Sequence, residues 1–293
     1  MKETTRRITL AHHCKTRALE FGQAGAGRRA SIARVHQYWP ALGVLCCSIA
    51  FTTGVGALSL ASTEAQAAAP TTIGIGVAAA PRYEGSSTYH LEPFPILSAS
   101  RGIFFLDGLD GGVAFPLDGN LKTGLILSTQ FGRDQSDGDR LNGLGDIHTT
   151  AGFGAFLDWH PGAFDASLKF LQSLHAGYGA TLTLETKYTF KLGARDRLTV
   201  GNGAVWANRG SMQTFFGVSP VQAASSAAGL PVFSPSAGFK DISTSATWVH
   251  LLSRKWSVNG TLRVDHLLGD AAESPVVEHS TSLFGGVGAA YTF

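Results

Sequence analysis

Thiols are the first scarcity in this chain. Its 293 residues hold three cysteines, Cys14, Cys46 and Cys47, and none beyond position 47. That absence excludes a disulfide, a thiolate metal site and a cysteine nucleophile from the remainder. Charge is scarce too, at 15% Asp, Glu, Lys and Arg, and methionine occurs twice. Helix-rich enzymes carry far more Leu, Glu and Lys than this. The 36 glycines and 10% aromatics suit closely spaced strands and tight hairpins instead. Beyond residue 67 the one uncharged run of membrane-helix length, 210–239, is interrupted by Pro220, Pro231 and Pro235 and is rich in Ser and Gly, so helical spans are not expected there.

An uncharged run does occur earlier. "ALGVLCCSIAFTTGVGALSLAS" at 41–62 follows a basic stretch containing Lys2, Arg6, Arg7, Lys15, Arg17, Arg28, Arg29 and Arg34. "AQA" at 65–67 then supplies the small residues that a signal peptidase needs. We expect a long N-terminal region and secretory signal peptide over 1–67 and a mature domain over 68–293. A membrane anchor is the alternative; the Gly, Ser and Thr content of the run and the Ala-x-Ala after it weigh against one. A lipoprotein fits less well, because no suitable small residue precedes Cys46 or Cys47. Arg6 and Arg7 lie too far from the run for a convincing twin-arginine signal. Cleavage would remove eight of 23 basic residues and three of 21 acidic ones, leaving a net charge near −3. Nucleic acid is therefore not an expected partner.

The mature region alternates with a period of two. "GYGATLTLETKYTF" at 177–190 sets Leu182, Leu184, Tyr188 and Phe190 against Thr181, Thr183, Glu185 and Lys187. "KWSVNGTLRVDHL" and "FDASLKF" repeat the pattern, with aromatics near segment ends. A soluble sandwich would turn the apolar face inward, whereas an outer-membrane barrel turns it to lipid. Segments of about 10 to 13 residues exceed the usual soluble strand and match a tilted membrane strand. Short connections also alternate with long ones. The expected fold is therefore all-β: a closed antiparallel transmembrane β-barrel of the outer membrane, with long loops outside and both ends in the periplasm. Its strands are expected near 72–80, 92–100, 103–107, 110–116, 121–131, 148–159, 164–173, 177–190, 197–206, 239–251, 255–267 and 281–293. That makes 12 strands, or 10 if the third and fourth merge.

Parity also assigns candidate sites. Asp165, Lys169, Glu185, Lys187, Arg263 and Asp265 fall on the polar face, as lumen charges that compensate one another or form a solute path. At the C-terminus, "SLFGGVGAAYTF" puts Leu283, Val287, Tyr291 and Phe293 on one apolar face. This resembles the last-strand signal read by the barrel-assembly machinery. A hydrolase reading of "EHSTS" fails, since His279 points away from Ser280 and Ser282 in a strand; Asp265 and His266 fail likewise. Asp134, Asp137, Asp139 and Asp146 miss the EF-hand spacing and read as a solvated loop. Gly74/Gly76 and Gly201/Gly203 precede no helix and read as strand glycines. No catalytic, cofactor or metal residues are assigned.

Four segments carry a resemblance: "PRYEGSSTYHLEPFP" at 81–95, "NGLGDI" at 142–147, "FFGVSPVQAASSAAGLPVFSPSAGFKDI" at 215–242 and "LLGDAAESPVV" at 267–277. Together, in this order, the chain resembles the MipA/OmpV family, the MltA-interacting proteins of Gram-negative outer membranes. The family-motif loop contains Phe216, Gly217, Val218, Gln222, Gly238 and Asp241. The resemblance implies an outer-membrane barrel without catalytic residues, in contact with membrane lipid and lipopolysaccharide. It further implies a scaffold joining a lytic transglycosylase to a penicillin-binding protein in peptidoglycan synthesis. Other members are associated with osmotic response, antibiotic susceptibility or adhesion. A narrow passive channel is the alternative function. The loop at 207–238 is expected outside the membrane or folded into the barrel mouth.

Overall fold

The computed structural model describes residues 70–293. The signal peptide expected over 1–67 lies outside the described residues. Twelve strands follow in order: β1 (Thr72–Pro81), β2 (Tyr89–Arg101), β3 (Phe104–Asp107), β4 (Asp110–Pro116), β5 (Leu121–Gln130), β6 (Thr150–Trp159), β7 (Phe164–Ser173), β8 (Ala180–Lys191), β9 (Asp196–Ala207), β10 (Gly238–Leu251), β11 (Trp256–Leu267) and β12 (Thr281–Thr292). Each pairs antiparallel with its chain neighbours, and β12 pairs with β1 to close the barrel. Closure follows from the solvent, because an open sheet in lipid leaves two rows of backbone groups unpaired.

The faces divide as the alternation requires. Ile75, Leu125, Leu184, Leu262 and Val287 stand on the outer surface, 49–68% exposed. Around the short-turn end lies a belt of Trp159, Tyr188, Phe190, Trp248, Trp256 and Phe293, all exposed. Such a belt marks a membrane interface. Trp256, Tyr291 and Phe293 pack edge to face within it, at 5.2 and 5.0 Å between successive ring centroids.

Connections at 102–103, 117–120, 160–163, 192–195 and 252–255 occupy one end with both strand termini. Those at 82–88, 131–149, 208–237 and 268–280 occupy the other, with the short turns 108–109 and 174–179. Long loops belong outside the cell and short turns in the periplasm. Three short helices lie in the long loops: α1 (Arg209–Phe216), α2 (Pro220–Ser225) and α3 (Gly269–Ala272).

Both weakly patterned strands, β3 and β4, form, so the count is twelve rather than ten. β8 begins three residues later than its alternation suggested, because Gly177 and Gly179 have φ of 91° and 75° and make a turn. β2 begins three residues earlier, at Tyr89, despite Pro93 and Pro95. The prolines are tolerated because of where their nitrogens point. Leu97 turns its carbonyl toward the β3–β4 side, where it accepts from Gly108 N at 2.7 Å. Pro93 and Pro95 share its orientation by parity, and β3 pairs only with Ser98 through Arg101. Each proline thus faces an edge where no ladder bond is missing.

Candidate functional site

The lumen is the first candidate. Register places Asp165, Lys187, Gly201, Ser245 and Arg263 in one cross-strand row, and Glu185, Gly203, Ser243 and Asp265 in another, all on the inner face. Lys187 Nζ meets Glu185 at 2.9 Å, and Arg263 Nε donates to Asp265 at 3.0 Å. Lys169 Nζ reaches Asp110 on β4 at 3.1 Å, and Asp165 meets His160. The six expected charges are therefore ion-paired or hydrogen-bonded, two pairs within single strands. Sequence reasoning missed Asp110, His160 and the Lys122–Asp158 pair at 3.4 Å. Their partners come from other strands or a turn, which alternation does not reveal. The Glu185 and Lys187 side chains remain 44% and 49% exposed, so water reaches this part of the lumen.

The outer mouth is the second candidate. Tyr83 from 82–88, Leu141 and Leu144 from 131–149, Val218 and Leu230 from 208–237, and Val276 from 268–280 form one buried cluster. The first three of these loops follow β1, β5 and β9, spaced four strands apart around a ring of twelve. Loops rooted at thirds of the rim touch one another by meeting over the axis. The mouth is accordingly covered by a cap with its own apolar core. A second cluster, with Met212, Phe216, Ala271 and Val277, fastens the cap to the strand ends at Ala207 and Leu267.

Polar contacts fix the same arrangement. Arg133, 8% exposed, donates from Nη1 to Phe215 O at 2.9 Å and lies 5.9 Å from the Tyr83 ring centre. Burial pushes its guanidinium down to about 10, which leaves it charged at physiological pH. Arg140 donates to Pro275 O at 2.8 Å, and Ser274 Oγ to Phe216 O at 2.6 Å. Glu278 accepts from Tyr83 Oη at 3.0 Å and from Ser87 N at 3.2 Å. Bonds from Ser87, then Tyr83, hold its carboxyl below the usual range.

Phe216, Gly217, Val218 and Gln222 of the family motif lie in this cap, and Gly238 and Asp241 lie on β10 beneath it. Phe216 and Val218 are 1% and 0% exposed. Gly217 leaves no room for a side chain without a backbone shift, since a Cβ would come within 2.5 Å of the Gln213 carbonyl oxygen. Gln222 closes a capping box with Ser219 and donates from Nε2 to Leu144 O at 2.7 Å, tying 208–237 to 131–149. Gly238 begins β10 opposite Ala207. Asp241 meets Lys240 at 3.0 Å, and Lys240 also meets Glu84 in 82–88. The loop expected outside or folded into the barrel mouth lies across the mouth, packed on 82–88, 131–149 and 268–280. Tyr83, Arg133, Leu141, Leu144 and Val276 were missed because loops without periodicity give no burial signal.

The remaining candidates separate. Leu283, Val287 and Phe293 are 50%, 61% and 69% exposed on the lipid face, and Tyr291 is opposite Ile73 and Trp256. His279 donates its backbone N–H to Gly85 O at 3.1 Å, and the His266 ring Nδ1 meets Thr281 Oγ1 at 2.8 Å rather than a serine. Asp137 and Asp146 accept from the backbone N–H groups of Asp134 and Gln135, both at 2.8 Å, and so fold their own loop. Among the described residues no three His, Asp or Glu side chains gather as a metal site.

A closed barrel with an apolar outer belt, aromatic interface residues, a charged lumen and long loops at one end defines an outer-membrane β-barrel protein. Within that class the chain belongs to the MipA family, MltA-interacting protein MipA, whose model matches residues 73–293. No curated protein matches it. Among solved structures it is similar to the NanC porin, with 8% identity over 76% of this chain and 100% of that one, at a TM-score of 0.39. A bacterial polysaccharide outer membrane secretin shares 11% identity over 76% of this chain and 97% of its own, at 0.39. OmpT of Vibrio cholerae shares 8% over 80% and 100%, at 0.36.

Proposed function

We propose that the protein is a non-enzymatic scaffold that brings a lytic transglycosylase and a penicillin-binding protein together during peptidoglycan synthesis. The observation that carries this reading is the difference between the two ends of the barrel. The outer end is covered by loops that pack together over the axis. The periplasmic end presents short turns with exposed Lys191, Arg195, Arg197, Arg254 and Lys255.

Two of these, Lys191 and Arg197, stand directly opposite one another in the β8–β9 hairpin. Like charges so placed repel. The neighbouring Asp196 is taken up by His250 at 2.8 Å and Trp248 at 3.1 Å. An acidic partner surface would relieve this repulsion and gain complementarity. A partly hydrated lumen favours a second reading, a narrow passive channel, and the covered mouth weighs against it.

Affinity purification from envelope extracts tests the scaffold. Both enzyme classes are expected with the wild-type barrel, and in clearly smaller amounts with a combined Arg195→Glu, Arg197→Glu, Arg254→Glu variant. Recovery of neither enzyme with the wild type contradicts the reading.

A further inference from the structure

The barrel wall is not paired at every height. β2 is 13 residues long and pairs along one edge with β1 from Tyr89 to Ser98. On its other edge, β3 reaches only Ser98 through Arg101. β3 has four residues and its partner β4 seven, so this hairpin stops short of the rim that β1 and β2 reach. Among the described residues no strand pairs with the second edge of β2 between Tyr89 and Ile96.

This unpaired edge lies within the apolar belt. Leu91 beside it is 75% exposed, and Leu109, at the tip of the β3–β4 hairpin, is 45% exposed. Phe104 and Leu106 on the same outer face are 65% and 42% exposed, so the hairpin is apolar up to its tip and faces lipid. Unpaired backbone there is costly, and Pro93 and Pro95 remove two of the donors that would have faced it. The sequence thus reduces the cost of keeping this edge free.

Features on both sides of the hairpin fit one kind of occupant. On its lipid side runs an apolar groove of about 540 Å³ lined by Phe104, Leu106, Leu109, Val113 and Leu127. On its lumen side Ile126, Phe156 and Leu171 form a buried apolar patch, with Phe105 and Ala114 packed against it. Asp110, at the hairpin tip, meets Lys169 at 3.1 Å and accepts from Ser128 Oγ, beside the route between groove and patch.

We propose that the gap beyond the tip of the β3–β4 hairpin, between the free edge of β2 and the outer end of β5, is a lateral portal. Through it a saturated acyl chain of an amphiphile passes from the outer leaflet onto the apolar lumen patch, while its polar end stays near Asp110, Ser128 and Lys169. With the mouth capped above, this gap joins bilayer to lumen. The proposal stands apart from the scaffold role and does not depend on it.

Photo-labelling tests it. The full mature barrel, in phosphatidylethanolamine and phosphatidylglycerol vesicles, is irradiated with diazirine-bearing palmitate or, separately, diazirine-chain phosphatidylethanolamine, and adducts are mapped by peptide mass spectrometry. Adducts are expected on lumen-facing Phe105, Ile126 or Phe156 as well as on the lipid face. Ala114→Trp, which fills the patch, should lower the lumen adducts at least fivefold and leave those at Leu106 and Leu109 unchanged. Leu171→Asp serves the same purpose should the tryptophan variant fail to fold. Lumen labelling by palmitate alone assigns the chain to a free acid, and labelling by both probes to membrane lipid. Adducts confined to Phe104, Leu106, Leu109 and Leu127 overturn the proposal, as does lumen labelling that both variants leave intact.

Discussion

Glu278 shows how single side chains hold the cap. Its carboxyl is held low by hydrogen bonds from Ser87 and Tyr83, so it contributes stability above the ordinary glutamate range of about 4.3. That contribution is lost as pH falls through the depressed value. The loops should therefore become more sensitive to limited proteolysis below about pH 4, with the barrel still folded, and Glu278→Gln should flatten this dependence. Phe216 acts by volume, because it is 1% exposed in the cluster that fastens the cap to Ala207 and Leu267. Phe216→Ala should cost the cap about 3–5 kcal/mol. Hydrogen exchange would register this in 208–237 and 268–280 before it reached the strands. At this scale alternation shows which face Lys169 or Glu185 takes, because parity alone decides it. It does not show that Lys169 reaches Asp110, since barrel curvature brings β4 and β7 together.

At the scale of elements, β12 must close against β1, and its outer face carries Leu283, Val287, Tyr291 and Phe293. Phe293→Ala should lower the heat-modifiable, membrane-assembled fraction several-fold without changing the fold of what assembles. Fractionated envelopes run unheated on gels measure this. The family-motif loop plays the opposite part, since it covers the mouth without building the wall. Deleting 219–236 should leave a heat-modifiable barrel while removing Leu230, the α2 helix and the Gln222 tie to Leu144. Strand positions were legible to within about three residues because each strand has one apolar and one small or polar face. β2 starts three residues before its expected start, because Tyr89, His90 and Leu91 pair with Pro81, Ala80 and Ala79, and its Pro93 and Pro95 lie inside the strand. Their tolerance depends on β3 ending early, a fact of pairing that local sequence does not contain.

For the whole molecule, lipid as solvent explains both what sequence reveals and what it leaves out. A surface inverted relative to a soluble protein leaves an alternating signature along every strand, so barrel class and closure could be read residue by residue. The cap is assembled from four loops whose contacts are remote in sequence, such as Tyr83 with Glu278 and Arg133 with Phe215. No periodicity marks such contacts, and only the resemblance drew attention to 215–242. The result is a barrel covered by loops outside, polar within and basic at its periplasmic rim. The central claim, that the mouth is covered and the protein is not an open pore, is tested most directly by planar-bilayer recording of the purified mature barrel beside its 219–236 deletion. The account predicts silence from the folded wild type and stepwise conductance from the deletion. Steady stepwise conductance from the wild type, unchanged by the deletion, would contradict it.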